Sequence, residues 1–345
     1  MKAVRHLWES CFKDSPQYLD YYMEGPFREC VVFTGGEPVS SMLHLHERQI
    51  RWHHDWKKLH YIVGVSTLPA FRGRGMMRGL LRSALVWMYE RQEPWTYLTP
   101  AREEIYLPFG FCTVSAGTKS HWTKDQWKKE PGDRTIQEMS GSGKEQEVSE
   151  HGMPQAIPGA WNAYETLDDL QKELLASGTG KKLLREDVVH IRRDSAYYED
   201  LAREMRACRG RLMVRLDAQG EPVDYAAYGQ EEDEMEVFDC LEGERTVLSG
   251  LGGEGWRYTA QIMVRIVHLE AFMKSLTGRV IPDGVYRIKD PDLAANDGIW
   301  QIVWNGSAYE IRRMPDSTMT ENTLDIAKLC AMAWSDCQVH LNELV

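Results

Sequence analysis

Residues 63–81 read VGVSTLPAFRGRGMMRGLL: a strand, a glycine-bearing loop and the start of a helix in immediate succession. Residues 61–67 read as a buried strand. From position 75 to 90 the residues Met77, Leu80, Leu81, Ala84, Leu85 and Met88 recur at helical spacing. Between the two, Arg72-Gly73-Arg74-Gly75-Met76-Met77 gathers several free backbone N–H groups and the positive end of a helix dipole at one point. Such a terminus binds anions, and glycine lets the backbone approach a diphosphate without a Cβ in the way. Arg72 and Arg74 add charge to the same place.

Working outward, residues 95–98 form a further short strand, residues 102–107 a short helix blocked by Pro108, and residues 111–115 another strand. Upstream, residues 30–53 read as a strand meander with a turn at Thr34-Gly35-Gly36-Glu37, after which alternation resumes through Val39, Ser41, Leu43 and Leu45. Residues 128–159 turn to Glu, Gln, Ser, Gly and Pro and mark a boundary. Beyond it come helices at 168–175 and 196–207 and a hairpin of 211–216 with 223–228 around residues 217–220. An apolar run at 262–267 leads into a helical stretch bearing Glu270, Phe272 and Leu276. A strand pair, 298–304 with 308–313, turns at Asn305-Gly306, and a helix spans 324–334.

The loop at residues 72–77 resembles the R-x-x-G-x-G/A element of the GNAT acetyltransferases, in the strand-to-helix context that the element demands. The resemblance implies an α/β (α+β) GNAT fold that takes acetyl-CoA as cosubstrate. Arg72, Gly73, Arg74, Gly75, Met76 and Met77 would surround the diphosphate, and the edge atoms of Val63, Val65 and Thr67 would pair with the pantetheine arm as an added strand does. Met77 stands where the family pattern has Gly or Ala. Residues 99–111, TPAREEIYLPFGF, resemble the family's Y-x-x-F-G-F element, whose tyrosine sits beside the CoA sulfur. Carried over, that tyrosine is Tyr106. A phenol of pKa about 10, close to a simple thiol, suits protonation of a leaving thiolate.

Further segments, Arg193-Asp194-Ser195-Ala196-Tyr197-Tyr198, Met263-Val264-Arg265-Ile266-Val267 and the ending Leu341-Asn342-Glu343-Leu344-Val345, make the chain similar to the Eis-type (enhanced intracellular survival) branch of that superfamily. That branch implies an active GNAT domain at 1–130, a linker at 131–160, a degenerate GNAT-like domain at 161–262 and a short sterol-carrier-protein-like (SCP2-like) domain at 263–345. It also implies a homo-oligomer, usually a hexamer. The terminal carboxylate, here that of Val345, would hold a cationic amine and accept its proton as nitrogen attacks. Its low intrinsic pKa, about 3.5, prevents it from deprotonating a free ammonium beforehand. Glu343 would add negative charge, and Trp8 and Phe27 are aromatic candidates for the acceptor pocket. The expected activity is N-acetylation of a primary amine on a cationic small molecule or lysine-like acceptor. The alternative is a non-catalytic acyl-CoA-binding sensor or scaffold.

The bulk sequence fits this reading. With 345 residues the chain exceeds a single core, and 43% hydrophobic with 27% charged residues is ordinary for a globular protein. A net charge of −11 argues against a nucleic-acid partner and suits a cationic substrate. No apolar run has the length of a membrane span and the start, MKAVRHLWESCF, has no signal-peptide pattern, so a cytoplasmic protein with no membrane partner is expected. Seven scattered cysteines without a C-x-x-C read as reduced thiols. His44 and His46 share a strand face and His53 and His54 follow, but no carboxylate or thiol stands at ligand spacing, so no metal is expected. Glycine-rich runs at 141–144, 178–181 and 250–255 lack the context of nucleotide-binding loops.

Overall fold

A computed structural model describes residues 2–118, 121–123, 161–164, 188–216, 222–231, 234–240, 259–335 and 337–341, with 167, 169, 172, 173 and 175–177. The contacts among residues divide the chain into two units, one of residues 1–117, 184–192 and 260–345, the other of 118–183 and 193–259. Residues 260–345 thus share a unit with the first 117.

In chain order the elements begin with helices α1 (Lys2–Cys11) and α2 (Pro16–Glu24) and strands β1 (Val31–Gly35), β2 (Ser41–Trp52) and β3 (Asp55–Thr67). Helix α3 (Met76–Glu90) and strands β4 (Trp95–Leu98) and β5 (Cys112–Thr118) follow. Strands β6 (His121–Thr123) and β7 (Trp161–Tyr164) lie in the second unit, and β8 (Val188–Ile191) returns to the first. The second unit continues with α4 (Ser195–Ala207), β9 (Arg211–Leu216), β10 (Pro222–Glu231) and β11 (Glu234–Cys240). The first is completed by β12 (Thr259–Ile266), α5 (Leu269–Ser275), β13 (Gly284–Lys289), β14 (Gly298–Trp304), β15 (Tyr309–Met314), β16 (Thr323–Asp325), α6 (Ile326–Trp334) and β17 (Gln338–His340).

The main sheet of the first unit has the order β17-β8-β2-β3-β4-β12-β5, with β1 paired to the opening half of β2. Residues 41–46 of β2 are all buried, so both faces of the strand are covered. Strand β12 stands between β4 and β5, which places residues from far along the chain inside the sheet that the first 118 residues begin. A second sheet, β15-β14-β13-β16, belongs to the same unit. Trp52, Trp95 and Trp334 pack with ring centroids 4.6–5.3 Å apart and form a buried aromatic joint between the main sheet and α6. The indole N–H of Trp52 donates to Ser275 Oγ at 2.9 Å. In the second unit, β6-β11-β10-β9-β7 form a sheet, and α4, capped by Asp194 on the Tyr197 amide, buries Tyr198, Leu201, Ala202 and Met205. Among the described residues no helix is long and apolar enough to cross a membrane.

Helix α3 starts one residue after the expected position, because Gly75 is its cap. Strand β2 lies within the expected meander at 30–53, while β3 is longer than the apolar stretch at 61–67 suggested. They extend into a hairpin whose outer residues, among them Asp55 and Lys58, are exposed and hide the strand from a reading of hydrophobicity. The helix expected at 102–107 is instead two successive 3-10 turns, Glu103–Ile105 and Leu107–Phe109. Pro108 does not block the second turn but lies within its start, where a missing N–H costs nothing. The hairpin of β9 and β10 forms as expected, while its turn at 217–220 lies outside the described residues.

The β2–β3 ladder shifts register between Met42 and His44, so that Met42 pairs with Ser66 and His44 with Val63. The extra residue on β3 makes a β-bulge, and Gly64 within it has φ +62°. A Cβ there would stand 2.9 Å from the Trp8 ring and 3.0 Å from His44 Nδ1. Gly64→Ala is therefore expected to lose about 3 kcal/mol, combining left-handed strain and overpacking. Urea unfolding measures this, and a loss below about 1 kcal/mol contradicts the assignment.

Candidate functional site

Strands β3 and β4 run parallel but pair at one point, Tyr61 with Tyr97. Strand β4 ends at Leu98, one residue further, so among the described residues the β4-facing edge of β3 has no neighbouring strand from Val63 to Thr67. Val65 and Thr67 are half-buried and Val63 is buried. Near this gap the hydroxyls of Ser66 and Thr99 are buried with no hydrogen-bond partner among the described groups. A backbone edge of this kind offers N–H and C=O groups to an extended polar chain.

The gap leads to the start of α3. Gly75 caps the helix with φ 75° and no side chain bonds to the first-turn amides, while the space where its Cβ would stand is open. Arg72 Nε donates to the Thr67 carbonyl at 3.1 Å and Arg74 Nη2 to the Ala70 carbonyl at 3.1 Å, so both guanidinium groups are folded onto the loop with exposed faces. The Arg74 head also lies 5.0 Å from the Phe71 ring centre. Met76 and Met77 are half-buried rather than core, since the apolar stripe of α3 is carried by Leu81, Ala84, Leu85 and Met88. Uncapped amides, two arginines and no obstructing side chain fit a diphosphate, and the vacant strand edge fits an amide-bearing arm.

Tyr106 joins the two 3-10 turns and is buried at 6% exposure, its ring edge-on to Phe111 at 5.8 Å. Burial pushes its phenol up to about 12, above the value of about 10 expected from sequence. The group is protonated throughout the physiological range. Its loop is held from β12: Arg265, fully buried, donates from Nε to the Phe109 carbonyl at 2.6 Å. Arg265 also donates to the Ile266 carbonyl at 2.7 Å and to Asp290 Oδ1 at 2.6 Å. The neighbouring buried Asp292 accepts from Arg82 Nε on α3 at 2.6 Å and lies 3.5 Å from Arg78, whose guanidinium covers the Phe109 ring at 4.5 Å.

Trp8 and Phe27 join a buried cluster around His44. Trp8 stacks on His44 at 5.7 Å, Phe27 meets it edge-on at 5.0 Å, and Tyr22 Oη lies 2.8 Å from His44 Nδ1. The Trp8 indole N–H donates to Asp14 Oδ2 at 2.7 Å. Burial lowers the pKa of His44 to about 4. Burial, then the Arg48 and His60 charges, lowers that of His46 to about 3. His46 Nε2 accepts from Arg48 at 2.6 Å, so its 3.7 Å approach to Glu29 is not an ion pair. Among the described residues no three potential ligands gather as a metal site. Val345 and Glu343 lie outside the described residues. Sequence reasoning missed Gly64 and Arg265. A glycine inside a strand and an arginine inside an apolar run were the available signals.

Residues 1–114 match the family model described as an acetyltransferase (GNAT) domain. The chain thus carries a GNAT acetyltransferase domain and is an acyltransferase by class. Solved structures resemble it over nearly all its length. One is a conserved protein of Enterococcus faecalis V583 described as a probable N-acyltransferase, with TM-score 0.66, 14% identity and coverage of 95% of this chain and 86% of that one. A GCN5-related N-acetyltransferase from Anabaena variabilis ATCC 29413 gives 0.64 at 15%, covering 97% and 87%. Eis1 from Mycobacterium abscessus gives 0.61 at 12%, covering 96% and 86%. At these identities the likeness is one of fold. A sequence comparison with curated proteins gives no match.

The two depressed histidines make stability depend on pH. Each binds fewer protons folded than unfolded, so its contribution is complete above pH 6.5 and declines as pH falls toward its folded pKa, about 4 for His44 and about 3 for His46. Between pH 6.5 and 5 each is expected to withdraw about 2 kcal/mol of unfolding free energy. Urea unfolding across this window checks it, and a pH-independent midpoint contradicts the burial of both rings as neutral species.

Proposed function

We propose that the protein transfers the acetyl group of acetyl-CoA to a primary amine of a cationic small molecule or lysine-like acceptor by direct attack. The observation that carries the reading is the vacant β3 edge at residues 63–67 running straight into the uncapped start of α3. The α3 amides and Arg72 and Arg74 bind the diphosphate, and the edge of Val63, Val65 and Thr67 takes the pantetheine amides. The Gly64 bulge frees backbone groups from the ladder beside the thioester.

The thioester is already activated, so no covalent enzyme intermediate is needed. A neutral amine attacks the carbonyl carbon, the C–N bond forms and the C–S bond breaks. The amine proton passes to a base, for which the Val345 carboxylate is the candidate, with Glu343 adding charge. With its pKa at about 12, Tyr106 does not give up its proton outright to a simple thiolate, whose pKa is about 10. It donates a hydrogen bond to the sulfur as charge develops there, the proton follows only as the thiolate departs, and the phenol is restored through solvent by the proton that the base took from the amine. Trp8 and Phe27 support the acceptor side from behind, through the His44 cluster. The finer arrangement belongs to the same proposal: segments at 1–130, 131–160, 161–262 and 263–345, an SCP2-like last segment, and a hexamer.

Thiol release from acetyl-CoA with a panel of amines, followed by product mass, tests the reading. Tyr106→Phe is expected to lower kcat about 10²-fold while the KM for acetyl-CoA holds. Because the phenol acts protonated, Tyr106 should impose no alkaline loss of rate below about pH 11. Undiminished release in Tyr106→Phe contradicts the acid role, and CoA binding without release for any amine favours a sensor or scaffold.

A further inference from the structure

We propose that Arg265 is a positioning residue for Tyr106, acting through the carbonyl of Phe109; the inference rests on the acid role proposed for Tyr106. The loop that carries the phenol is two single 3-10 turns, whose hydrogen bonds have poor geometry and hold little on their own. Within it the Phe109 amide donates to the Tyr106 carbonyl at 3.0 Å, and the Phe109 carbonyl accepts from Arg265 Nε at 2.6 Å. Phe109 is therefore the link between the backbone of Tyr106 and a group on β12.

That group has all three guanidinium nitrogens engaged. Nη1 of Arg265 is spent on the Ile266 carbonyl and Nη2 on Asp290 Oδ1. Asp290 in turn accepts from the amides of Asp292 and Leu293 and from Asn296 Nδ2 at 2.9–3.2 Å. Both members of the ion pair have fully buried side chains. The next residue, Gly110, is pinned as well, because a Cβ there would stand 2.6 Å from Ile326 on α6 and 3.4 Å from Arg265 Nε. Cohesion alone does not require such a pair, since apolar side chains of similar volume stabilise a core as well or better than buried charges. What a planar guanidinium adds is direction: three donors fixed in one plane, one of them aimed at the carbonyl that closes the acid loop. A phenol that must meet a developing thiolate within hydrogen-bond distance gains from this, because a displacement of about 1 Å costs on the order of 10²-fold in rate.

The test uses the full chain with Arg265→Lys and Asp290→Asn, each made alone and with Tyr106→Phe, and reads thiol release with the amine that reacts best. Lysine keeps the charge opposite Asp290 but cannot serve Asp290 and the Phe109 carbonyl in one plane. The folded Arg265→Lys protein is expected to lose about 10- to 100-fold in kcat with its KM for acetyl-CoA within about twofold. In the Tyr106→Phe background the same change is expected to cost less than about threefold, because the group it positions is gone. Equal losses in both backgrounds, or an unchanged kcat in the folded variant, overturn the proposal and leave Arg265 a scaffold residue. Where thermal unfolding shows Arg265→Lys not to fold, Asp290→Asn is read against the same two criteria. Full activity in Tyr106→Phe alone removes the acid role itself, whatever the Arg265 variants do.

Discussion

Two parallel strands that meet at one residue pair make this site possible. One residue past Tyr61 and Tyr97, β4 ends while β3 continues for five more residues, 63–67, with a backbone edge that no described strand uses. Unused peptide groups are costly inside a protein, and this edge is left open in a region whose side chains are largely buried. A ligand with its own amide groups resolves that cost. The same strand then delivers the chain to Gly75, where α3 begins with its amides uncapped. The proposed recognition of the arm and of the diphosphate would both follow from one strand ending late.

The rest of the first unit holds that arrangement in place. Strand β12 fills the sheet between β4 and β5, and the tryptophan joint and the Arg265–Asp290 pair both connect it to residues beyond 259. Asp292 extends the contact to Arg78 and Arg82 on α3, so one buried acidic turn is joined to the Tyr106 loop through Arg265 and to α3 through these two arginines. Breaking a buried pair by removing one partner costs far more than the pair contributes, which makes this turn a place where substitutions propagate.

The sequence showed the strand, loop and helix at 61–90 because each rests on local chemistry: an apolar run, a glycine cap and a helical repeat. Tyr106 was legible only through resemblance to a family element, since nothing in its spacing says that two 3-10 turns bury it. Gly64 could have been read as a bulge, yet its meaning depends on Trp8 and His44, which fold against it from distant positions. Arg265 is a charge in an apolar run, but its partner Asp290 lies 25 residues away and cannot be named without the fold. Positions fixed by neighbours along the chain were readable; those fixed by neighbours in space were not.

The central claim is that the first-turn amides of α3 grip the diphosphate of CoA. Amide hydrogen exchange at Met76, Met77 and Arg78, with and without saturating CoA, measures it directly. These three amides are expected to become strongly protected on binding while the far end of α3 is unchanged. Exchange at all three that stays the same in the presence of bound CoA would contradict the account.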